Sequence, residues 1–444
     1  MNYEIEHDAC GIGTVVQIDG KQSYDVLDKA LHIVEKLEHR AGKDASGKVG
    51  DGVGILLQIS DDFFRNTLKK DNIKLPEHYG VGMFFLPRNK LLLNQHKKMF
   101  EKLVEQEGCT FITWRKVPCD DSILGQKAKD CMPSIYQAFV QGDTDLEQKL
   151  YVIRREFEKS CKETYVASLS SRTIVYKGMF LVSQLRKFYF DLQDENYKSA
   201  IAIVHSRFST NTTPSWQRAH PNRYIAHNGE INTIRANVNK MLAREESMHS
   251  KFLDENSSKI LPIINTSGSD SAMLDNALEF LVMNGMPLEK AVMILIPEPW
   301  KHQTMDQKKK DFYHYYATMM EPWDGPAAIL FSDGQKVGAV LDRNGLRPSR
   351  YYLTSDNMLI LSSEVVLDID EKKIVKKSRL EPGKMLLVDT KKKKLIEDYD
   401  LKNEYASSNP YGEWLDNHLL YLKDLPAPDK KTHIHSQHER DILY

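Results

Sequence analysis

The order of hydrophobic and polar positions divides the chain into helical and extended segments. Residues 24–38 carry apolar side chains at intervals close to 3.6 residues, which predicts an amphipathic helix. The stretches 91–107 and 145–159 predict two further amphipathic helices, within a region where strands and helices alternate. By contrast, the run Gly-Ile-Gly-Thr-Val-Val-Gln-Ile directly after Cys10 and the run 55–59 are short and β-prone, so both predict strands.

The region from about residue 173 to residue 361 holds the highest density of predicted strands. Two helices interrupt these strands, at about 271–283 and 311–320, and Ser269 and Asp270 stand where the first helix needs its N-cap. Many short strands with clustered helices are typical of stacked sheets covered by helices. The short apolar runs bounded by turn residues are 173–176, 201–204, 224–226, 327–331, 336–341, 351–353 and 358–361.

Composition and charge exclude several classes of protein. The 444 residues favour two to four domains, or one large layered domain with insertions. Sixty-one basic residues balance 62 acidic ones, so no global field favours nucleic acid or an anionic membrane. No apolar run approaches the ~18–20 residues of a membrane span. Residues 1–9 lack the basic start and apolar stretch of a secretory signal.

The cysteines point to a chain without disulfide bonds or metal. They form an odd set without a Cys-x-x-Cys pair, which argues against a disulfide framework, a zinc site or an iron–sulfur cluster. We therefore expect no metal site and a cytosolic (cytoplasmic) location. The five are Cys10, Cys109, Cys119, Cys131 and Cys161.

Several polar segments could carry chemistry, and each also has a purely structural interpretation. A cysteine such as Cys10 is often just a small core residue. Asn228-Gly229 could form a type I′ hairpin turn, 267–271 a loop with a helix cap, and 342–345 a turn. The glycines of 50–54 are not followed by the residues of a phosphate-binding loop, so nucleotide binding is not expected.

Taken together, these segments resemble a known family. The chain from Cys10 to about Pro426 is similar to the class II glutamine amidotransferase domain of the glutamate synthase large subunit. The motifs that carry the resemblance are, in order, Cys10-Gly11-Ile12-Gly13, Leu37-Glu38-His39-Arg40, Gly50-Asp51-Gly52-Val53-Gly54, Arg207-Phe208-Ser209-Thr210-Asn211, Ala226-His227-Asn228-Gly229-Glu230-Ile231-Asn232-Thr233, Gly268-Ser269-Asp270-Ser271, Glu321-Pro322-Trp323-Asp324-Gly325-Pro326 and Asp342-Arg343-Asn344-Gly345-Leu346-Arg347-Pro348.

The resemblance implies a fold and a division of the chain. The fold is α+β, a four-layer αββα sandwich of two antiparallel sheets, known as the N-terminal-nucleophile (Ntn) hydrolase fold. Residues 1–9 would be a leader that is removed autocatalytically, 10–403 the glutamine amidotransferase domain, and 404–444 a polar tail or linker toward a missing synthase region.

The resemblance also assigns the chemistry. Cys10 would attack the side-chain amide of glutamine, with its freed α-amino group as the base. Asn228, through its side-chain amide, and Gly229, through its backbone N–H, would stabilise the oxyanion.

Four further residues would bind the substrate. Arg207 would hold the α-carboxylate of glutamine and Asp270 the α-ammonium group. Thr210 would add a hydroxyl to the carboxylate, and Arg40 would order the pocket near the nucleophile.

The resemblance implies partners that lie outside this chain. Ammonia from L-glutamine would pass to a separate or fused synthase domain, which carries flavin mononucleotide (FMN) and an iron–sulfur cluster and converts 2-oxoglutarate to glutamate. No cofactor is expected in this chain, nor a nucleic-acid or membrane partner.

Two alternatives stay open from the sequence. One is another class II amidotransferase, feeding purine or amino-sugar synthesis; the motifs 321–326 and 342–348 and the long 75–200 region favour glutamate synthase instead. The other is a truncated, non-catalytic glutamine-binding module, against which the presence of every proposed catalytic residue argues.

Overall fold

A computed structural model describes residues 10–208, 213–301, 304–367, 369–426 and 436–437. The strands are β1 Gly11–Gln17, β2 Val53–Gln58, β3 Tyr79–Leu86, β4 Thr110–Lys116, β5 Ser134–Gln141, β6 Tyr165–Ser170, β7 Thr173–Gly178, β8 Ile201–Ser206, β9 Ile225–Gly229, β10 Ala327–Ser332, β11 Lys336–Leu341, β12 Arg350–Thr354, β13 Met358–Ser362, β14 Ile374–Arg379, β15 Met385–Asp389 and β16 Lys394–Glu397.

Helices separate these strands along the chain. The α-helices are α1 Tyr24–Lys36, α2 Asp61–Lys69, α3 Lys90–Gln106, α4 Gln126–Asp130, α5 Leu146–Ser160, α6 Leu185–Phe188, α7 Ile234–Arg244, α8 Lys251–Ile260, α9 Asp270–Met283, α10 Leu288–Leu295, α11 Gln307–Ala317, α12 Asp398–Ala406 and α13 Tyr411–His418.

Two of the sheets form the sandwich that the sequence predicts. The larger has seven strands in the order β14-β12-β13-β1-β8-β2-β7, and the second has five in the order β16-β15-β11-β10-β9. Ile12 of β1 and Ala328 of β10 lie in the apolar layer between the sheets. Val15 of β1 packs instead in the core beneath α1, and Ile329 of β10 in the core beneath α9 to α11. This alternation produces four layers, and it confirms the αββα prediction.

A third sheet extends this sandwich and was not part of the two-sheet prediction. It comprises β4-β5-β3-β6, all antiparallel. Phe84 of β3 packs with α3 and α5 on one face, whereas Val81 and Met83 join the core beneath α1 on the other. Every residue of β3 is buried, because both faces of this sheet are covered.

The folded part of the chain continues beyond residue 403, where the sequence predicts the polar tail to start. Helix α13 packs on α11, and the buried ring of Tyr411 lies 5.4 Å from that of Phe312 and 5.3 Å from that of Tyr315. Few apolar side chains anchor α13, which is why composition alone suggests a tail. The predicted leader, 1–9, lies outside the described residues.

In the part of the chain that the structure covers, no helix has both the length and the apolar character required to cross a membrane.

Candidate active site

Cys10 lies at the end of the sandwich, immediately before β1. The next residue, Gly11, pairs with Ser206 at the end of β8. The backbone N–H of Phe208 donates to the Cys10 Sγ at 3.3 Å, and the thiol lies 3.5 Å from the Phe208 carbonyl oxygen. The segment that follows β8 therefore holds the sulfur in place.

The surroundings of Cys10 favour a protonated thiol. Burial raises the pKa of the Cys10 thiol above its usual value, and this outweighs the opposing effects of the Phe208 backbone and of the positive charges on Arg207 and Arg347. A nucleophilic role for this sulfur therefore requires a base that takes the thiol proton.

Asn228 is the clearest unsatisfied polar group near Cys10. Its side chain is fully buried in β9, and both the amide nitrogen Nδ2 and the oxygen Oδ1 lack a hydrogen-bond partner among the described residues. A buried amide without partners costs free energy. Such a group suits a ligand that supplies the missing acceptor.

The register of β9 directs the backbone N–H of Gly229 to a free edge. Ala327 lies opposite Gly229; its backbone N–H donates to the Asp342 carboxylate at 3.0 Å, and its carbonyl oxygen accepts the backbone N–H of Asp342 at 2.9 Å. Ala327 and Gly229 are therefore a non-hydrogen-bonded pair, and the N–H of Gly229 faces away from β10. Since β9 is the last strand of its sheet, this donor is available to a ligand.

Only glycine fits at position 229. Its φ is +139°, and a Cβ added there would lie 1.7 Å from the carbonyl oxygen of Pro326. Asn228 and Gly229 are the last residues of β9, so the hairpin-turn interpretation of this dipeptide is wrong.

A contact between the two sheets brings Cys10 and Asn228 to the same end of the sandwich. The Nε2 of His205 in β8 lies 3.0 Å from the carbonyl oxygen of His227 in β9. One residue further along, Ser206 pairs with Gly11 and Asn228 follows His227. The sulfur and the unpartnered amide thus flank one region.

Asp270 joins this region through the N-terminus of α9. Its carboxylate accepts the backbone N–H of Ile231 at 2.9 Å and that of Ser271 at 2.7 Å. Ser269 caps the helix by accepting the N–H of Ala272 at 3.3 Å. The segment 267–271 therefore caps a helix, as its structural interpretation predicts, and also directs a carboxylate toward β9.

The backbone of Arg207 is held from both sides. Its N–H donates to Gly52 at 2.8 Å, and its carbonyl accepts from Gly42 at 3.0 Å. Burial lowers the pKa of Arg207, whereas the charges of Asp51, Cys10 and Asp270 oppose this effect. The positive charge of Arg207 therefore interacts electrostatically with both Cys10 and Asp270. Thr210 lies outside the described residues.

Arg40 braces the segment beside β1. It ends a 3-10 turn, Glu38–Arg40, and forms an ion pair with Glu364, whose carboxylate also lies 3.0 Å from His39 Nε2. Glu364 follows β13, which pairs with β1. These contacts fit a supporting position, and a role for Arg40 in substrate binding stays a prediction.

Arg347 is a site residue that the sequence did not single out. Its Nε is buried without a partner among the described residues, and its charge acts on both Cys10 and His227. The sequence predicts a turn at 342–345, which Asp342 does form by accepting the N–H of Asn344 at 2.9 Å, and the motif 342–348 carries the family resemblance without a role for Arg347. The membership of Arg347 in that motif was the only available signal.

Known proteins resemble this chain over most of its length. The sequence model for class-II glutamine amidotransferases matches residues 10–414. The glutamate synthase (NADPH) large chain of Bacillus subtilis (strain 168) is 47% identical over 440 residues, 96% of this chain and 29% of that protein. The ferredoxin-dependent glutamate synthase 2, chloroplastic, of Arabidopsis thaliana is 44% identical over 436 residues, 94% of this chain and 27% of that protein.

The chain spans less than a third of the length of these two relatives. Among solved structures, the glutamine phosphoribosylpyrophosphate amidotransferase of B. subtilis aligns with a TM-score of 0.35 and 14% identity, over 86% of this chain and 48% of that chain. The match of the family model to residues 10–414 covers most of the chain and includes Cys10, Arg207, Asn228, Gly229 and Asp270. This chain belongs to the class II glutamine amidotransferases.

Proposed function

We propose that this chain is the glutaminase part of a glutamate synthase, which hydrolyses L-glutamine to glutamate and ammonia through a thioester on Cys10. The observation that carries the proposal is the buried amide of Asn228, which has no hydrogen-bond partner among the described residues, beside the edge-directed N–H of Gly229 and at the same end of the sandwich as Cys10. Two donors placed in this way suit an oxyanion.

The base would be the α-amino group of Cys10 itself. In the chain as written, the nitrogen of Cys10 belongs to the peptide bond with Ala9. Hydrolysis of that bond would free an amine with a pKa of ~7.7–8.0. Since the pKa of the thiol is raised, this amine is needed to accept the thiol proton.

The proposed residues then assist each step of glutamine hydrolysis. The sulfur attacks the side-chain carbonyl carbon of glutamine, and the oxyanion is held by Asn228 Nδ2 and the Gly229 N–H. The C–N bond breaks as the protonated amine gives its proton to the leaving nitrogen, which departs as ammonia. Water attacks the thioester through a second oxyanion and releases glutamate, which restores the thiol. Loss of one such donor typically lowers the rate by roughly 10²–10³.

The two charges of the α-carbon end of glutamine would be matched by Arg207 and Asp270. Arg207 would pair with the α-carboxylate through two parallel hydrogen bonds. The Asp270 carboxylate uses two of its acceptor positions on backbone N–H groups, and its remaining lone pairs can accept from the α-ammonium. We retain Thr210 and Arg40 as supporting residues.

The ammonia would be consumed by a synthase region, separate or fused, that carries FMN and an iron–sulfur cluster and converts 2-oxoglutarate to glutamate. Support comes from the relatives, both of which are glutamate synthases. We propose the cytosol as the location, because all five cysteines are free thiols, as is usual in a reducing compartment.

A two-part assay of the purified chain tests the proposal. With glutamine alone, ammonia and glutamate should appear in equal amounts, and Cys10→Ala should release neither. With 2-oxoglutarate, ammonia and a reductant, the colourless chain should make no glutamate. Absence of glutamine hydrolysis by protein with a free Cys10 amine, or retention of activity in Cys10→Ala, would contradict the proposal.

A further inference from the structure

A cluster of three buried histidines lies between β8 and β9, next to Asn228, and has no part in the chemistry proposed above. His205 is in β8, His227 is in β9, and His220 is in the loop between these strands. All three side chains are buried. Buried ring nitrogens usually have hydrogen-bond partners, so the contacts of these rings indicate which parts of the site they hold together.

The cluster links two segments of the site through one continuous series of contacts. His205 Nε2 lies 3.0 Å from the His227 carbonyl oxygen, and the rings of His205 and His220 stack with centroids 4.4 Å apart and planes at 24°. His220 Nε2 in turn lies 3.0 Å from the hydroxyl of Ser271 in the first turn of α9. The strand that bears Asn228 is thereby joined to the helix that bears Asp270.

The contact between His205 and the carbonyl oxygen of His227 lies at the free edge of β9. The carbonyl of His227 points to the same free edge as the N–H of Gly229, because residues two apart on a strand point the same way. Among the described residues, no neighbouring strand pairs with this edge. His205 replaces the absent strand at one position and leaves the next donor, at Gly229, open for the oxyanion.

The surroundings favour neutral rings, and the contact with the His227 carbonyl fixes the tautomer of His205. A carbonyl oxygen only accepts, so His205 Nε2 must carry the proton that is donated to His227. A charge on either stacked ring would lie against its neighbour and near Lys177 and Arg207. In agreement, burial lowers the pKa of His205 to about 3 and that of His220 well below its usual value.

We infer that His205 and His220 are positioning residues for glutamine hydrolysis: the stacked pair sets the placement of the oxyanion donors on β9 relative to the glutamine-anchoring N-terminus of α9. The inference rests on the proposed function. His205 acts on the oxyanion strand and therefore on kcat. His220 acts on the first turn of α9, next to Asp270, and therefore on KM for glutamine.

Kinetics normalised to active sites test this inference. The active sites are counted by covalent labelling of Cys10 with 6-diazo-5-oxo-norleucine. Because kcat is expressed per labelled site, unfolded protein in a variant sample does not lower it. His205→Phe keeps a ring in the stack but removes the donor; it should lower kcat per site roughly 10- to 100-fold with KM within about twofold. His205→Gln places an amide nitrogen near the former Nε2 and should restore kcat to within about threefold.

His220→Phe should instead raise KM roughly tenfold, with a smaller change in kcat. The matched control is His96→Phe, since His96 is a buried histidine of α3, away from the site; its kcat and KM per site should equal those of the wild type. If His205→Phe does not fold, kcat per site is measured on His205→Asn instead, whose side chain is too short to reach the carbonyl oxygen of His227.

Each outcome distinguishes the inference from the proposed function. A kcat per site within twofold of the wild type in His205→Phe or His205→Asn would overturn the inference, even if the number of active sites falls. An inactive wild type with a free Cys10 amine would refute the proposed function instead.

Discussion

The carboxylate of Asp270 accepts the backbone N–H of Ile231 at 2.9 Å, so the residue proposed to anchor glutamine also contacts the segment that supplies the oxyanion donors. Ile231 follows Gly229 by two residues. This hydrogen bond therefore couples the proposed binding of the α-ammonium group to the placement of the oxyanion donors. A small shift of α9 would be transmitted to both functions.

The active chain should begin at Cys10. Since the pKa of the thiol is raised and its observed contacts are with the Phe208 backbone, the α-amine is the expected base. Intact mass spectrometry of active protein should show the loss of residues 1–9. Fully active protein that still carries Met1 would contradict this prediction, and a partly processed sample should show activity in proportion to its cleaved fraction.

Cys10 should be the only cysteine that hydrolysis requires. Cys109 and Cys161 are buried, and burial raises the pKa of Cys161 to about 11, which makes it inert. Cys10→Ala should abolish ammonia release and labelling by 6-diazo-5-oxo-norleucine.

Single replacements of Cys109, Cys119, Cys131 or Cys161 by Ala serve as controls and should keep turnover within a few-fold. An essential residue among these four, together with a dispensable Cys10, would show that the mechanism is wrong.

Substitutions at Asn228 and Asp270 should separate catalysis from binding. Asn228→Ala should lower kcat by roughly 10²–10³ with little change in KM, because the donor acts on the oxyanion. Asp270→Asn retains an acceptor for the Ile231 N–H but loses the charge, so it should raise KM for glutamine. Equal losses of kcat in both variants, with KM unchanged, would contradict these assignments.

Arg207→Ala should also raise KM for glutamine. If the substitution leaves the α-carboxylate of glutamine unpaired in the pocket, the binding free energy should weaken by roughly 2–5 kcal/mol. Steady-state kinetics with glutamine measure this effect. Arg350→Ala offers a matched control, since Arg350 is exposed on β12; its KM should match that of the wild type.

Stability should fall as the pH drops below about 6.5. The pKa of His205 is lowered by burial from 6.5 to about 3, so between these values the unfolded chain binds a proton that the folded chain does not. Above the pKa of His205 in the unfolded chain, about 6.5, the free energy of unfolding is not reduced by His205. It falls progressively as the pH drops from there toward the pKa in the folded chain, about 3. From pH 7.5 to 5, His205 alone should remove roughly 2 kcal/mol of unfolding free energy.

Urea titrations at the two pH values measure this loss, and His205→Phe should show a correspondingly weaker pH dependence. An identical dependence in this variant would indicate that His205 is not buried in its neutral form.

Helix α13 should contribute to stability although it lies beyond residue 403. Tyr411 is buried against Phe312 and Tyr315, so Tyr411→Ala should cost roughly 3–5 kcal/mol, as for other large aromatic deletions. Leu422→Ala is the control: Leu422 is 86% exposed, and its loss should change stability by less than about 0.5 kcal/mol. Equal unfolding midpoints for both variants would place α13 outside the folded unit.

Local pattern predicted some elements well and failed at others. The 3.6-residue periodicity of 24–38 predicted α1, because one face of that helix is buried and the other is solvated. The pattern of apolar residues did not predict α13, because the few apolar contacts of that helix are made with α11. It also allowed Asn228-Gly229 to be a hairpin turn, since the local preferences of that dipeptide are the same at a turn and at the end of a strand.

By itself, the sequence determined the family, the layered α+β architecture and the candidate residues Cys10, Arg207, Asn228, Gly229 and Asp270, because residue types and their order along the chain carry that information. Only the tertiary structure decided how these residues act together. The register of β9 against β10 leaves the Gly229 N–H at a free edge, and long-range packing places Arg347 near Cys10 and joins His205 to His220. Such relationships depend on contacts between segments that are separated along the chain, by 15 residues for His205 and His220 and by 337 for Cys10 and Arg347, which no local pattern encodes.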